Sequence, residues 1–214
     1  MGMIMSFARN DQSARSLDGG TYITKSGAYI GKITQAAVGV SDNGAQYIEM
    51  AFKENDGRVC FSRLFLTKKD GTESFGRKIL DALLVVLNVQ KADVVEGKVY
   101  TRDSSAAGGY RVDQGYRLPA IEGKPVGVVF QREEREYKGK RTYQMNFLTP
   151  FDPQTERVAK EILDGSEAKL LAERLKNLKD KDSTGQTQQQ GAQQPPANHP
   201  AVDAPIADDE IPFD

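Results

Sequence analysis

The chain holds one cysteine (Cys60), one histidine (His199) and no tryptophan. A lone cysteine forms no internal disulfide, which fits a reducing compartment. One Cys and one His far apart in sequence do not make a zinc cluster of the usual spacing. His199 sits in a Gln/Pro-rich stretch and is a poor partner for a Ser or Cys nucleophile. No metal or cofactor is therefore expected. The longest unbroken aliphatic run, Leu83 to Leu87, is far short of the roughly 20 residues of a membrane-spanning helix. Met1-Gly2-Met3-Ile4-Met5 lacks the basic start and long apolar core of a signal peptide. The expectation is a soluble intracellular protein with no membrane partner.

An excess of either charge is also lacking: 29 Lys+Arg stand against 30 Asp+Glu, a net of −1. Taken whole, that argues against a polyanion-binding protein. Composition changes near Lys181, and the balance changes with it. Residues 181–214 hold six Gln, five of the nine Pro and one aromatic, Phe213. They carry one base and six acids, a net of −5, which leaves 28 bases and 24 acids, a net of +4, on residues 1–180. A stretch so poor in apolar residues cannot offset its chain entropy by burial and reads as disordered.

The rest of the chain reads as a polar leader over 1–20, a β-rich domain over 21–152 and a helical segment over 153–180. Three strands are expected at Ala28 to Val40, Ala45 to Lys53 and Arg58 to Thr67. In the second, Ile48, Met50 and Phe52 face one way and Tyr47, Glu49 and Ala51 the other. Glu54-Asn55-Asp56-Gly57 is the hairpin turn between the second and third. Ser74 to Val89 reads as a helix, with Phe75, Ile79, Leu80, Leu83, Val86 and Leu87 as one apolar stripe. Residues 91–122 are less regular. Two more strands, Pro125 to Arg135 and Lys140 to Phe151, flank a turn at Tyr137-Lys138-Gly139-Lys140. Asp152-Pro153 is expected to open a helix that Gly165 ends, and Ser166 to cap a second with Leu171, Leu175 and Leu178 as its stripe. Three strands, a helix and two strands is the order of a five-stranded OB barrel with its helix between strands three and four. The fold expectation is thus mainly β, an OB barrel with C-terminal helices and a disordered acidic tail; another small α+β sheet fits the same string.

The chain ends Asp208-Asp209-Glu210-Ile211-Pro212-Phe213-Asp214. This tip, after a Gln/Pro-rich linker, resembles that of the bacterial single-stranded DNA-binding protein family, which ends Asp-Asp-Asp-Ile-Pro-Phe. The likeness covers six residues, the linker style and a compatible body. The leader, the 91–122 segment and the added helices look more like a phage-encoded member. The resemblance implies sequence-independent binding of single-stranded DNA in DNA replication, recombination and repair, in the cytoplasm of a bacterial host. It also implies that Asp208, Asp209, Glu210, Ile211, Pro212 and Phe213 recruit replication and recombination proteins of phage or host. Independently of the family, Ile211 and Phe213 are apolar anchors, Pro212 stiffens the backbone between them, and the three acids steer toward a basic rim. Asp214 departs from the family, whose last residue is Phe.

Single strands are held by cations that pair with phosphates and by aromatic faces that stack with bases. Candidates are therefore Tyr and Arg/Lys close together on strands and hairpins. Arg58 and Arg63 are placed with the aromatic face of the third strand, beside Phe61 and Phe65; Tyr47 lies on the polar face of the second. The hairpin of the last two strands offers Arg135, Tyr137, Lys138, Lys140, Arg141 and Tyr143, diluted by Glu133, Glu134 and Glu136. Residues 91–122 pair Tyr100 with Arg102, Tyr110 with Arg111 and Tyr116 with Arg117. The alternatives are a strand-annealing or recombination mediator, multimeric through 153–180, and a nuclease built on Glu133, Glu134 or Asp152. The non-enzymatic reading is preferred, because such carboxylates are ordinary on a surface hairpin.

Overall fold

A computed structural model describes residues 22–102, 110–137 and 139–184; the side chains of Arg102, Tyr110 and Tyr137 lie outside that description. The leader and residues 185–214, with the predicted tip Asp208, Asp209, Glu210, Ile211, Pro212 and Phe213, also lie outside the described residues. The protein is mainly β. Its strands are β1 (Gly27–Val40), β2 (Gln46–Glu54), β3 (Val59–Phe65), β4 (Val95–Arg102), β5 (Tyr110–Arg117), β6 (Pro125–Tyr137), β7 (Lys140–Phe151) and β8 (Lys181–Asp182). Its α-helices are α1 (Phe75–Val86), α2 (Ala159–Asp164) and α3 (Leu170–Asn177). None of the described helices is long and apolar enough to cross a membrane.

One sheet joins all eight strands, and β1 is its hub. On one side β1 runs along β2 for most of its length. On the other, Gly27 to Lys32 pair with β6, and Ala37 and Val38 pair with the end of β5. A register shift between Ile33 and Gln35 bends β1, as bulges do, so its two halves serve different neighbours. β3 and β7 meet where the Phe147 N–H donates to Ser62 Oγ at 3.2 Å. They share no strand ladder, so the sheet is open at that seam.

Inward alternation builds the core. Ile33, Ile48, Met50, Phe52, Val126, Val128 and Phe130 are almost fully buried. Phe130 touches Phe52 and Phe147 edge-on, with ring centroids 5.4 and 5.6 Å apart. Helix α1 closes one end with Ile79, Leu80 and Leu83. Its Ser74 cap accepts from the Gly76 N–H at 3.3 Å, satisfying one of the free donors of the first turn. Phe75 departs from the predicted stripe: it is 70% exposed.

Two parts of the chain differ from expectation. Residues 91–122 contain a β4–β5 hairpin inserted between α1 and β6. After β7, Asp152-Pro153 opens a turn rather than a helix. The Asp152 carboxylate accepts the N–H groups of Gln154 and Thr155 at 2.8 and 3.3 Å, an Asx-type turn that competes with helix. Glu156 follows at φ +58°, left-handed backbone that no α-helix continues through. Helix α2 therefore starts at Ala159, and Gly165 ends it at φ +63° as expected.

Ser166 does not cap the second helix. Instead Glu161 accepts the Val158 N–H at 2.9 Å and the N–H groups of Lys169 and Leu170 at 2.6 and 2.8 Å, holding both helix starts. The leucine stripe of α3 is spent within the chain: Leu171, with Leu170, Leu175 and Leu178, covers Val129 and Phe151 on the outer side of β6 and β7.

Candidate nucleic-acid interface

On the outward face of β2 and β3, cross-strand register sets the neighbours. Tyr47 opposes Phe65, Glu49 opposes Arg63, and Ala51 opposes Phe61. Directly opposed residues share a face, so Tyr47, Glu49, Phe61, Arg63 and Phe65 form one half-exposed surface. The Arg63 guanidinium lies 4.3 Å from the Tyr47 ring centroid. Arg63 Nε donates to Glu49 Oε2 at 3.0 Å, and Nη2 bonds the same oxygen. Phe65 meets the Tyr47 ring edge-on at 6.0 Å.

Gly39, opposite Tyr47 on β1, supplies the room. A Cβ there would come within 2.5 Å of Tyr47 Cζ and Oη. The ring therefore lies across β1 instead of standing up from the sheet. The face brings two aromatic rings and a guanidinium together at a partly exposed surface.

Arg58 is not part of this face. It follows the β2–β3 turn, at the opposite end of the hairpin from Tyr47. There Arg58 Nε pairs with Asp56 Oδ2 at 2.7 Å and Nη2 approaches Glu54 Oε2 at 2.9 Å. Its guanidinium lies 5.5 Å from the Tyr29 ring centroid. Burial raises the Glu54 carboxyl, and nearby Asp56 adds to that against the pull of Arg58, bringing it to about 7.

The β4–β5 hairpin folds over Gln35. The buried Gln35 amide donates to the Tyr100 carbonyl at 3.0 Å and accepts its N–H at 2.7 Å, occupying the edge of β4 as a paired strand would. Arg117 Nη1 reaches the Lys98 carbonyl on the same strand at 3.2 Å. Its Nε donates to Glu122 at 3.1 Å, and Glu122 also accepts the Ala36 N–H at 2.8 Å. Such capping of a sheet edge blocks pairing with another chain. Register places Tyr100 and Tyr116 on one face of the hairpin and Arg111 and Arg117 on the other. The proposed pairing of Tyr116 with Arg117 is thus split. Arg111 turns to Asp113, 2.8 Å away.

The β6–β7 hairpin divides its candidates in the same way. Lys140 lies on the face of Arg135; Glu136 opposes Arg141 and Glu134 opposes Tyr143 on the other. Lys140 and Arg141 are exposed, whereas Lys138 lies outside the described residues. Tyr143 packs against the core and carries Arg132 4.3 Å from its ring centroid. Arg132 is held in turn by the Thr24 carbonyl at 3.0 Å and Glu134 at 2.9 Å.

Glu133, 3% exposed, is the anchor of this region. One of its oxygens accepts from Ser183 Oγ at 2.7 Å and Lys181 Nζ at 2.8 Å. The other accepts from Asn146, Gln144 and Arg135 at 2.8 to 3.1 Å. Burial alone would raise its pKa, but these donors and the charge of Arg135 hold it at about 2. β8 thereby becomes a strap parallel to β6, where the sequence reading already had a disordered tail. The three carboxylates of the nuclease alternative are engaged separately: Glu133 with the strap, Glu134 with Arg132, and Asp152 with its own turn.

Sequence reasoning missed Glu49, Gln35 and Gly39. Glu49 was on the correct face, but pairing it with Arg63 required the register that the Glu54–Gly57 turn sets. Gln35 and Gly39 carried no chemical signal at all. The chain matches no family model and no curated protein.

Proposed function

We propose that this chain is a non-enzymatic, sequence-independent binder of single-stranded DNA whose β1–β3, α1, β6 and β7 form an OB-like half-open barrel. The observation that carries the reading is the Tyr47–Arg63–Phe65 surface on β2 and β3, where rings and a guanidinium share an outward face. Bases stack on such groups without base-specific readout, at roughly 1–3 kcal/mol each. The order of three strands, a helix and two strands around a shared β1 supports the OB assignment, and β4–β5 is then an insertion. The charge division of the sequence, +4 on residues 1–180 and −5 on 181–214, supports a body that meets phosphates and a tail that does not.

The tail serves as recruiter and competitor. The strap ends beside Glu134 through a Ser183 N–H bond of 2.9 Å to its carbonyl. Asp208 is 25 residues beyond Ser183, a contour of at most roughly 90 Å, long enough to bring Asp208 to Phe213 back to the domain. In a phage-infected or bacterial cell this arrangement suits DNA replication, recombination and repair.

The test is a fluorescence titration of the full chain with single-stranded DNA, duplex and RNA. Expected is binding of single-stranded DNA well above duplex, falling steeply with salt as counterions are released. Equal binding to duplex, or affinity independent of salt, would reject the reading.

A further inference from the structure

The Arg63 guanidinium covers the Tyr47 ring in the free protein. Tyr47 is therefore not an open stacking platform. Its wide face is occupied, its far end rests over Gly39, and Phe65 lies at its edge. Arg63 is held in that position by Glu49, whose side chain is 35% exposed against 21% for Arg63. A half-exposed ion pair of this kind is weak and exchangeable.

We infer that Glu49 and Arg63 form a gate over Tyr47, opened when a phosphate of single-stranded DNA takes Arg63 from Glu49 and the adjacent base stacks on the uncovered ring; this rests on the binding function proposed above. The exchange is close to balanced in its first half, because a phosphate accepts a guanidinium in the same forked geometry as a carboxylate. Stacking on the released ring drives the second half. Glu49 opposes both, since it is left facing a phosphate without its partner. Glu49 is thus a positioning residue that lowers affinity and eases release of the strand. It acts through Arg63 rather than by touching DNA.

The gate makes a claim that simple charge does not. Removing a carboxylate near any DNA-binding face strengthens binding a little, whatever lies beside it. If Glu49 acts by holding Arg63, its removal strengthens binding much more when Arg63 is present. The experiment is a double-mutant cycle on the full chain with oligodeoxythymidylate: wild type, Glu49→Gln, Arg63→Ala and the double variant, each titrated over a range of salt. With no tryptophan among eight tyrosines, quenching of tyrosine emission follows binding, and the part of it lost in Tyr47→Phe reports stacking on that ring.

Expected is a several-fold gain in affinity for Glu49→Gln with little change in salt slope, because Arg63 neutralises the same phosphate in both complexes, whereas Arg63→Ala should flatten the slope by about 0.7, the value for one single-strand phosphate. Glu49→Asp, which keeps the charge, should hold affinity near that of the wild type. In the Arg63→Ala background the Glu49→Gln gain should shrink to a small residual. Equal gains in both backgrounds, or an Arg63→Ala slope equal to that of the wild type, would overturn the gate while leaving the binding function in place. A wild-type chain that fails to bind the oligonucleotide would reject the function itself. Circular dichroism melts of each variant separate loss of fold from loss of binding, and Arg63→Lys, which keeps the charge but loses the fork, serves if Arg63→Ala unfolds.

Discussion

The β2–β3 and β6–β7 hairpins are built from the same parts and put them to different use. Each is an antiparallel pair carrying tyrosines, arginines and glutamates, and each was read from sequence as a strand-binding surface. On β2–β3, Tyr47, Arg63 and Glu49 meet on one half-exposed face. On β6–β7 the alternation sends Tyr143 against the core, with Arg132 over its ring, and Glu133 beneath the strap. Arginine on tyrosine occurs in both, at 4.3 Å in both. Each arginine also pairs with a partly exposed carboxylate, Glu49 or Glu134; the difference is that Arg132 is bonded in addition to the Thr24 carbonyl and lies over a ring packed on the core. Residue type marks a surface as possible, and the neighbours decide whether it is available.

The largest effect should come from the buried side of this contrast. Glu133→Ala leaves Lys181, Arg135 and Ser183 without their acceptor, and hydrogen bonds to a charged group contribute about 1.5–3 kcal/mol. Expected is a marked fall in thermal midpoint together with faster proteolysis at residues 179–184. A melt like that of the wild type would mean that the strap does not depend on Glu133. Next in size, Tyr47→Ala should weaken single-stranded DNA binding by the value of one stacked base, about 1–3 kcal/mol. Tyr143→Phe should leave affinity unchanged. If the two variants behave alike in titration, the division between the hairpins fails.

Acid sharpens the same comparison. The Glu133 pKa is depressed from 4.5 to about 2, so its contribution to stability is complete above 4.5 and is lost as pH falls from there toward 2. Glu133→Gln should remove that part of the acid unfolding profile, which denaturant melts at stepped pH would follow. The smallest effect concerns the β2–β3 turn. Glu54 has its pKa raised from 4.5 to about 7, so folding favours its protonated form and stability declines as pH rises through that window. Glu54→Gln should raise the thermal midpoint at about pH 8 and leave it unchanged at about pH 4. An equal shift at both would place the effect in packing rather than charge.

Most strands were legible because alternation is a local property. Ile48, Met50 and Phe52 announce a strand with one buried face, and the turn at Glu54 to Gly57 bounds it. The β4–β5 hairpin was not legible. Gly97 and Gly115 oppose one another at its middle and Val95 and Val112 are exposed, so it has no buried face to produce a pattern. What holds it is the Gln35 amide, 65 residues away along the chain from Tyr100. The false helix at Asp152-Pro153 has a similar origin: the residues that start helices also make Asx turns, and the choice was settled by the Phe151–Val158 bridge.

The candidate site divides along the same line. Sequence alone determined that Tyr47 and Glu49 share a face, that Arg63 lies on the face of Phe61 and Phe65, and that the net charge is positive over residues 1–180 and negative over 181–214. Those follow from a two-residue period and from counting. Only the tertiary structure decided that Glu49 meets Arg63, that Arg63 covers Tyr47, and that Glu133 fastens a strap. Each is a contact between strands or segments, fixed by register and sheet order, and the alternation of a single strand holds no record of its neighbour.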